Sequence, residues 1–320
     1  MRVAAVLLLS AWVAPAQFKS TVPLVVAPTT VVDAKGHYVD GLAASDLVLY
    51  DNNVPQPIQI DWEPYPISLV VALQTGSNSE AVVDKMGGSG ILFAQLLAAD
   101  RGETALLTFT DKVTLHQDFT GDPDVLTRAL ERLRADGGGG CSLDAVMEAL
   151  RLLGRRPPER RRVILVIAEK HDRASRTPLT EVIQEVQRQN AAIYWLTYSP
   201  FLTPFTNRKV RTVGGKKGAD AEPPGDQTFN LLAAFSELAR LKQPNVAELL
   251  SQATGGRTAG FLTQGALEAA IQAAGEDVHR QYILTFQPQP GKEGEFHAIR
   301  VEVKNRPALK VKTRAGYWSL

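Results

Sequence analysis

Ile67-Ser68-Leu69-Val70-Val71-Ala72-Leu73 runs straight into Gln74-Thr75-Gly76-Ser77-Asn78-Ser79, and the change of chemistry at residue 74 decides the fold. A continuous apolar run rich in Val and Leu fits a strand buried on both faces. The small polar stretch cannot extend that strand. Ser77, Asn78 or Ser79 can instead cap a following helix by accepting a backbone N–H. Buried strand followed by helix is the repeating unit of an α/β sheet, where ligands bind at the carboxyl ends of the strands. Residues 74–79 are therefore the first candidate for a functional loop, and they carry no charge.

Downstream the alternation continues. Residues 80–99 have helical spacing, interrupted by Gly87-Gly88 and Gly90. A strand over 103–109 is expected to pair with 113–119 across Thr110-Asp111-Lys112. Asp122 can cap, and Pro123 can open, a helix running to residue 134. The glycine run 137–140 breaks it, and 142–153 is the next helix. Residues 161–168 (RRVILVIA) form the second apolar strand, 178–190 a helix capped by Thr177, and 192–198 a further strand. Right-handed crossovers then place the loops at Gln74, Gly140 and Glu169 on one edge of the sheet. An excursion at about 200–227 interrupts the rhythm with a basic patch and Pro223-Pro224. Helices at 229–241 and 245–253, a stop at Gly255-Gly256, an edge strand at 257–261 and a helix at 267–280 follow.

The two ends of the chain read differently. Residues 17–61 are rich in Val and Thr, with turn signals at Lys35-Gly36 and Asp51-Asn52-Asn53. Residues 281–320 are again all-β. Neither end can bury a core alone, and unpaired strand edges are a liability. The fold class expected is α/β: a doubly wound, mostly parallel sheet over 62–280, inserted in a small all-β sandwich built from 17–61 and 281–320.

Composition narrows function. In 320 residues, 35 Lys and Arg nearly balance 34 Asp and Glu, so no overall field favours nucleic acid or an anionic membrane. Met1-Arg2, the apolar stretch 3–13 and Ala14-Pro15-Ala16 have the order of a signal peptide, 1–16, and no later segment has transmembrane length. Export to the periplasm, envelope or medium is the expectation. Cys141 is the one cysteine, so no internal disulfide can form, and a small residue in a packed turn is the reading for it.

Taken in order, several stretches resemble the von Willebrand factor type A domain, and more narrowly the bacterial, acidobacterial-type VWFA-related family. They are Val31-Val32-Asp33-Ala34-Lys35-Gly36 with Gly41-Leu42, ISLVVALQT, LLTFTDKVTLHQDFTGDP, RRVILVIAEKHDRAS, IYWLTYSPF, ATGGR, RQYILTFQP and LKVKTRAGYW. The resemblance implies a protein-binding module. In many relatives it also implies a metal-ion-dependent adhesion site, with Asp-x-Ser-x-Ser in the first loop, a Thr in a second and an Asp after a later strand. A hard cation such as Mg²⁺ takes such oxygens. Here the pattern is degenerate. Gln74 stands at the Asp position with Gly76 and Asn78 at the serines, or, one residue on, Thr75 stands there with Ser77 and Ser79 matching. Gly140 or Cys141 falls on the Thr position and Glu169 on the last Asp. One carboxylate makes a poor site for an ion that dehydrates reluctantly. No metal and no cofactor is expected.

No enzyme constellation is assembled either. The five histidines have no metalloprotease spacing, and the run 137–140 lacks the Lys of a phosphate loop. Glu169, His171 and Asp172 read as exposed loop charge, Asp111 as a turn former, Asp144 as a charge near a helix start, and Arg160-Arg161-Arg162 as staying in water. The sequence therefore points to an exported, non-enzymatic interaction protein. Its candidate partner-binding residues are Gln74, Ser77, Asn78, Ser79, Cys141, Glu169, His171 and Asp172. One alternative is a cation-dependent adhesion module using Glu169, Ser77 and Ser79. A second is a hydrolase using Glu169, His171 or Asp172.

Overall fold

A computed structural model describes residues 24–62, 65–76, 79–86, 93, 102–198, 245–288 and 294–319. The segment 1–16, the excursion at about 200–227, the helix at 229–241, and Ser77 and Asn78 lie outside the described residues.

The apolar run becomes a strand, Ile67–Gln74, in which every residue is buried. It is the fifth in chain order, β5, after β1 (Val25–Val32), β2 (Leu47–Asp51), β3 (Val54–Gln56) and β4 (Gln59–Asp61). On one side it pairs in parallel with β6 (Glu103–Phe109), and on the other with β8 (Arg161–Ala168). The antiparallel β7 (Val113–Thr120) closes one flank. The parallel β9 (Ala192–Thr197) and β10 (Thr258–Gly260) extend the other. The order is β10-β9-β8-β5-β6-β7. From β5 the chain first goes one way, to β6, and later returns on the other side as β8. The carboxyl ends of β5 and β8 thus flank the topological switch point, where open α/β sheets place their ligands.

Period-two side-chain alternation divides β5 between two helical layers. Val70 and Ala72 pack with α3 (Ser142–Leu153), α4 (Leu179–Arg188) and α5 (Val246–Thr254). Leu69, Val71 and Leu73 pack with α1 (Glu80–Met86), α2 (Pro123–Glu131) and α6 (Gln264–His279). Asp122 caps α2 through Asp124 and Val125, with Pro123 at its first position. The cap expected from Thr177 is not made. Pro178 occupies the N-cap of α4, and the Thr177 hydroxyl donates to Asp144 instead, 2.6 Å away. Nor does the Arg160–162 triplet simply stay in water. Arg160 bonds Ser68 and pairs with Glu103, Arg161 donates to Gln281, and Arg162 to the Gln189 carbonyl. These guanidiniums satisfy carbonyls and a carboxylate at the amino end of the sheet, which a strand start buried on both faces would otherwise leave unpaired.

The chain ends form two four-stranded antiparallel sheets. With β11 (Tyr282–Phe286), β12 (Phe296–Val303), β13 (Lys310–Thr313) and β14 (Gly316–Trp318), their orders are β13-β1-β11-β4 and β14-β12-β2-β3. Ala27, Val31, Leu284 and Phe286 of one sheet share a core with Leu47, Leu49, Ile299, Val301 and Tyr317 of the other. Asn52 and Asn53, at φ of 47° and 66°, make the β2–β3 turn in the left-handed conformation that favours Asn. A buried polar cluster crosses the second sheet. Asp51 lies 2.8 Å from His297 Nδ1 and accepts the Tyr317 hydroxyl at 2.7 Å.

Candidate functional site

Gln74 ends β5 with its side chain buried at the switch point. Its Oε1 accepts the Glu169 backbone N–H at 3.0 Å. Its amide is packed so closely on Gly140 that a Cβ there would lie 2.8 Å from Nε2. One neutral side chain therefore joins all three loops that the topology brings to this edge. Thr75 continues the closure, since its N–H donates to Phe109 and its carbonyl accepts from Asp136 at 2.7 Å. Gly76 lies under the glycine run, where a Cβ would be 2.9 Å from the Gly138 carbonyl oxygen. Asp111 does more than form a turn, because its Oδ1 accepts the Gly139 N–H at 2.8 Å and latches that run in place.

Glu169, read from sequence as exposed loop charge, is 5% exposed. Its backbone ties it down. The N–H is spent on Gln74, and the carbonyl accepts the Trp195 indole N–H at 3.3 Å. Its carboxylate meets the guanidinium of Arg173, with Nε at 3.0 Å and Nη2 at 2.7 Å from Oε2. Arg173 also donates its backbone N–H to the Gly140 carbonyl at 3.1 Å. A buried carboxylate needs such a partner, because desolvation without one is costly.

Asp172 is also committed. Cys141, at the N-cap of α3, makes no side-chain cap, and α3 starts without a hydroxyl or carboxylate of its own there. Asp172 supplies one from across the edge, taking the Leu143 N–H at 3.1 Å and the Ser142 and Ser175 hydroxyls at 2.9 and 2.6 Å. Asp144 answers in the other direction, accepting from the Arg176 and Thr177 N–H groups while its own N–H donates to Ser175. Partial burial works against the Asp144 carboxylate, but these hydrogen bonds and the Arg176 charge hold its pKa below the ordinary 3.8. The Cys141 thiol is pushed up to about 11, by burial first and then by Asp144. It is protonated at neutral pH, which withholds the thiolate needed for nucleophilic or ligand chemistry.

Ser79 is fully buried, and its hydroxyl accepts from Tyr198 at 2.8 Å. His171, between Glu169 and Asp172 in the chain, is half-buried. Arg173, Asp111, Asp144 and Ser175 escaped notice as site residues. For Arg173 no local signal existed, because residues 169–173 form a bend and not a helix, so the i,i+4 spacing from Glu169 does not by itself pair the two charges.

A hard divalent ion wants six or more oxygen ligands and carboxylate charge among them. The described residues at the switch point do not fit it. The Glu169 carboxylate holds a guanidinium through Oε2, Asp111 and Asp172 hold backbone N–H groups, the Gln74 oxygen holds another, and the Ser79 hydroxyl faces Tyr198. Among the described residues, no group of three or more His, Cys, Asp or Glu is placed to hold a metal ion. No helix among them is long and apolar enough to cross a membrane.

Residues 76–171 match the family model of the von Willebrand factor type A domain. No curated protein matches. Among solved structures, the chain is similar to the conserved hypothetical protein BatB from Bacteroides thetaiotaomicron, at 14% identity over 66% of this chain and 99% of that one, with a TM-score of 0.41. It is also similar to an aerotolerance-related membrane protein from Bacteroides fragilis, at 14% identity over 66% and 98%, with a TM-score of 0.42. A third is proximal thread matrix protein 1 from the mussel byssus, at 9% identity over 77% of this chain and 50% of that one, with a TM-score of 0.45.

Proposed function

We propose that this chain, which matches the von Willebrand factor type A family model over residues 76–171, is an exported, non-enzymatic module. It binds another protein of the envelope or extracellular space through the carboxyl edge of its sheet, and it does so without a bound cation. The observation that carries this reading is the Glu169–Arg173 ion pair over Gln74. A carboxylate neutralised by an internal guanidinium is neither an open ion ligand nor a poised acid or base. Asp172, spent on the start of α3, is in the same position. What the edge still offers is a fixed surface, latched by Asp111, Asp144 and Asp172, of the kind on which a partner can dock. Export follows from the arginine, apolar stretch and Ala-Pro-Ala order of residues 2–16.

Photo-crosslinking tests the location. A benzophenone amino acid replaces exposed Lys170 on this edge or, as control, exposed Lys304 beyond β12. Incubation with envelope extract is expected to give a discrete adduct from position 170, equal in Mg²⁺ and in chelator, and none from position 304. An adduct only from position 304, or one from position 170 that requires Mg²⁺, overturns the reading.

A further inference from the structure

The chemistry of the partner can be read from the same edge, and this inference rests on the binding role just proposed. Most carboxylates here face the chain's own donors. Asp111 takes Gly139, Asp144 takes Arg176 and Thr177, Asp172 takes Leu143 and Ser175, and Glu169 takes Arg173. Lys112, Lys170 and Arg176 are exposed, while Arg134 turns back to the carbonyls of Glu131 and Leu133. Glu80 and Asp136 are exposed as well, so acidic and basic groups nearly balance, and recognition here is short-range rather than a matter of long-range steering.

At short range one group stands out. Arg173 is anchored at both ends, by its backbone on Gly140 and by its guanidinium on a single oxygen of Glu169. Its side chain is 52% exposed, whereas that of Glu169 is 6% exposed. A guanidinium offers five N–H donors in a planar fork, and the contacts to Glu169 use only part of it. The donors that remain are already held in position, so a second carboxylate could dock against them with little further loss of side-chain entropy. A lysine could not do the same, since its ammonium is a point charge on a flexible stem.

We propose that Arg173 is the receptor for a carboxylate of the partner, an Asp or Glu side chain of an acidic surface segment, taken by the guanidinium with no metal between them. The probe is N-acetyl-aspartate methylamide, titrated with chelator present into the ¹⁵N-labelled chain, with the asparagine analogue as control. The Arg173 Nε–H resonance and the Gly140 and Lys170 amides are expected to shift and saturate with the aspartate compound alone. Arg173→Lys, which keeps a cation beside Glu169, should weaken that response about tenfold, with an unchanged thermal melt. An equal response to the asparagine analogue, or a full response in Arg173→Lys, overturns the proposal. The benzophenone adduct from position 170 separates the two levels. If it forms at full yield in the Arg173→Lys background, the edge binds its partner by other chemistry and only this inference falls. If no adduct forms from position 170 even in the native background, the binding edge itself is wrong.

Discussion

Gly256→Ala is expected to lower the thermal midpoint by about 10 °C or more, or to leave no soluble folded chain. The turn from α5 to β10 crosses directly over β9. Gly255 takes the left-handed conformation there, at φ of 73°, closing α5. Gly256 then lies flat on the backbone of Ile193. An added Cβ would sit 2.6 Å from the Ile193 carbonyl carbon and closer still to its oxygen. Neither side can retreat. Ile193 is held by Thr254, whose hydroxyl accepts its N–H at 3.0 Å, and Trp195 donates to the Arg257 carbonyl at 2.8 Å. Overpacking commonly costs about 1–3 kcal/mol, and rigid backbone on both sides puts this case at the top of that range or above. Calorimetry of the purified variant checks it. A midpoint within 2 °C of the native one, at about 2–4 °C per kcal/mol, would mean that the turn is not seated as described.

The second large effect is expected at Arg314. It is 4% exposed and has four acceptors in three parts of the fold. Nε donates to the Gly316 carbonyl, Nη1 to the Val26 carbonyl and Asn190 Oδ1, and Nη2 to the Gln187 carbonyl. Val26 belongs to β1, Gly316 to β14, and Gln187 and Asn190 to the end of α4 and the turn after it. This one side chain therefore pins both antiparallel sheets to the α/β layer. Burial lowers its pKa to about 10, with Tyr317 pulling the other way, so it stays charged at neutral pH. Arg314→Met keeps much of the volume but strands buried acceptors, and should cost about 3–5 kcal/mol. Urea denaturation reads the loss. Hydrogen exchange should show it first along β1 and β14, and exchange that instead rises uniformly would mean that Arg314 is not the pin.

How far the sequence foretold these features depends on how local their causes are. The strand expected over 67–73, the helix over 142–153, the Asp122–Pro123 start and the turn at Asn52–Asn53 each rest on a few consecutive residues, and each appears in the structure, although the strand runs one residue further and takes in Gln74, which the sequence pattern assigns to the polar loop. The meeting of Gln74, Gly140 and Glu169 followed from strand order and crossover handedness. What each side chain does there did not follow. Nothing near Asp172 says that it will cap a helix that begins thirty residues earlier with a cysteine at the cap. Thr177 looked like a cap because hydroxyls before helices commonly are, but Asp144 is a stronger, charged acceptor. The arginine triplet looked solvated because charge before a buried strand often is. Its real partners, Glu103, Gln281 and the Gln189 carbonyl, lie far off in the chain.

The central claim is that the switch-point carboxylate is served by Arg173 and not by a divalent ion. Thermal melts of the native chain in millimolar Mg²⁺, in millimolar Ca²⁺ and in chelator test it most directly. An ion that binds only the folded state adds about 2.7 kcal/mol at one hundred times its dissociation constant, or about 5–10 °C for a chain of this size. The three curves are expected to superimpose, and to do so again in Glu169→Ala after any constant offset. An upward shift with Mg²⁺ that disappears in Glu169→Ala would contradict the claim and establish a cation-dependent site at Glu169.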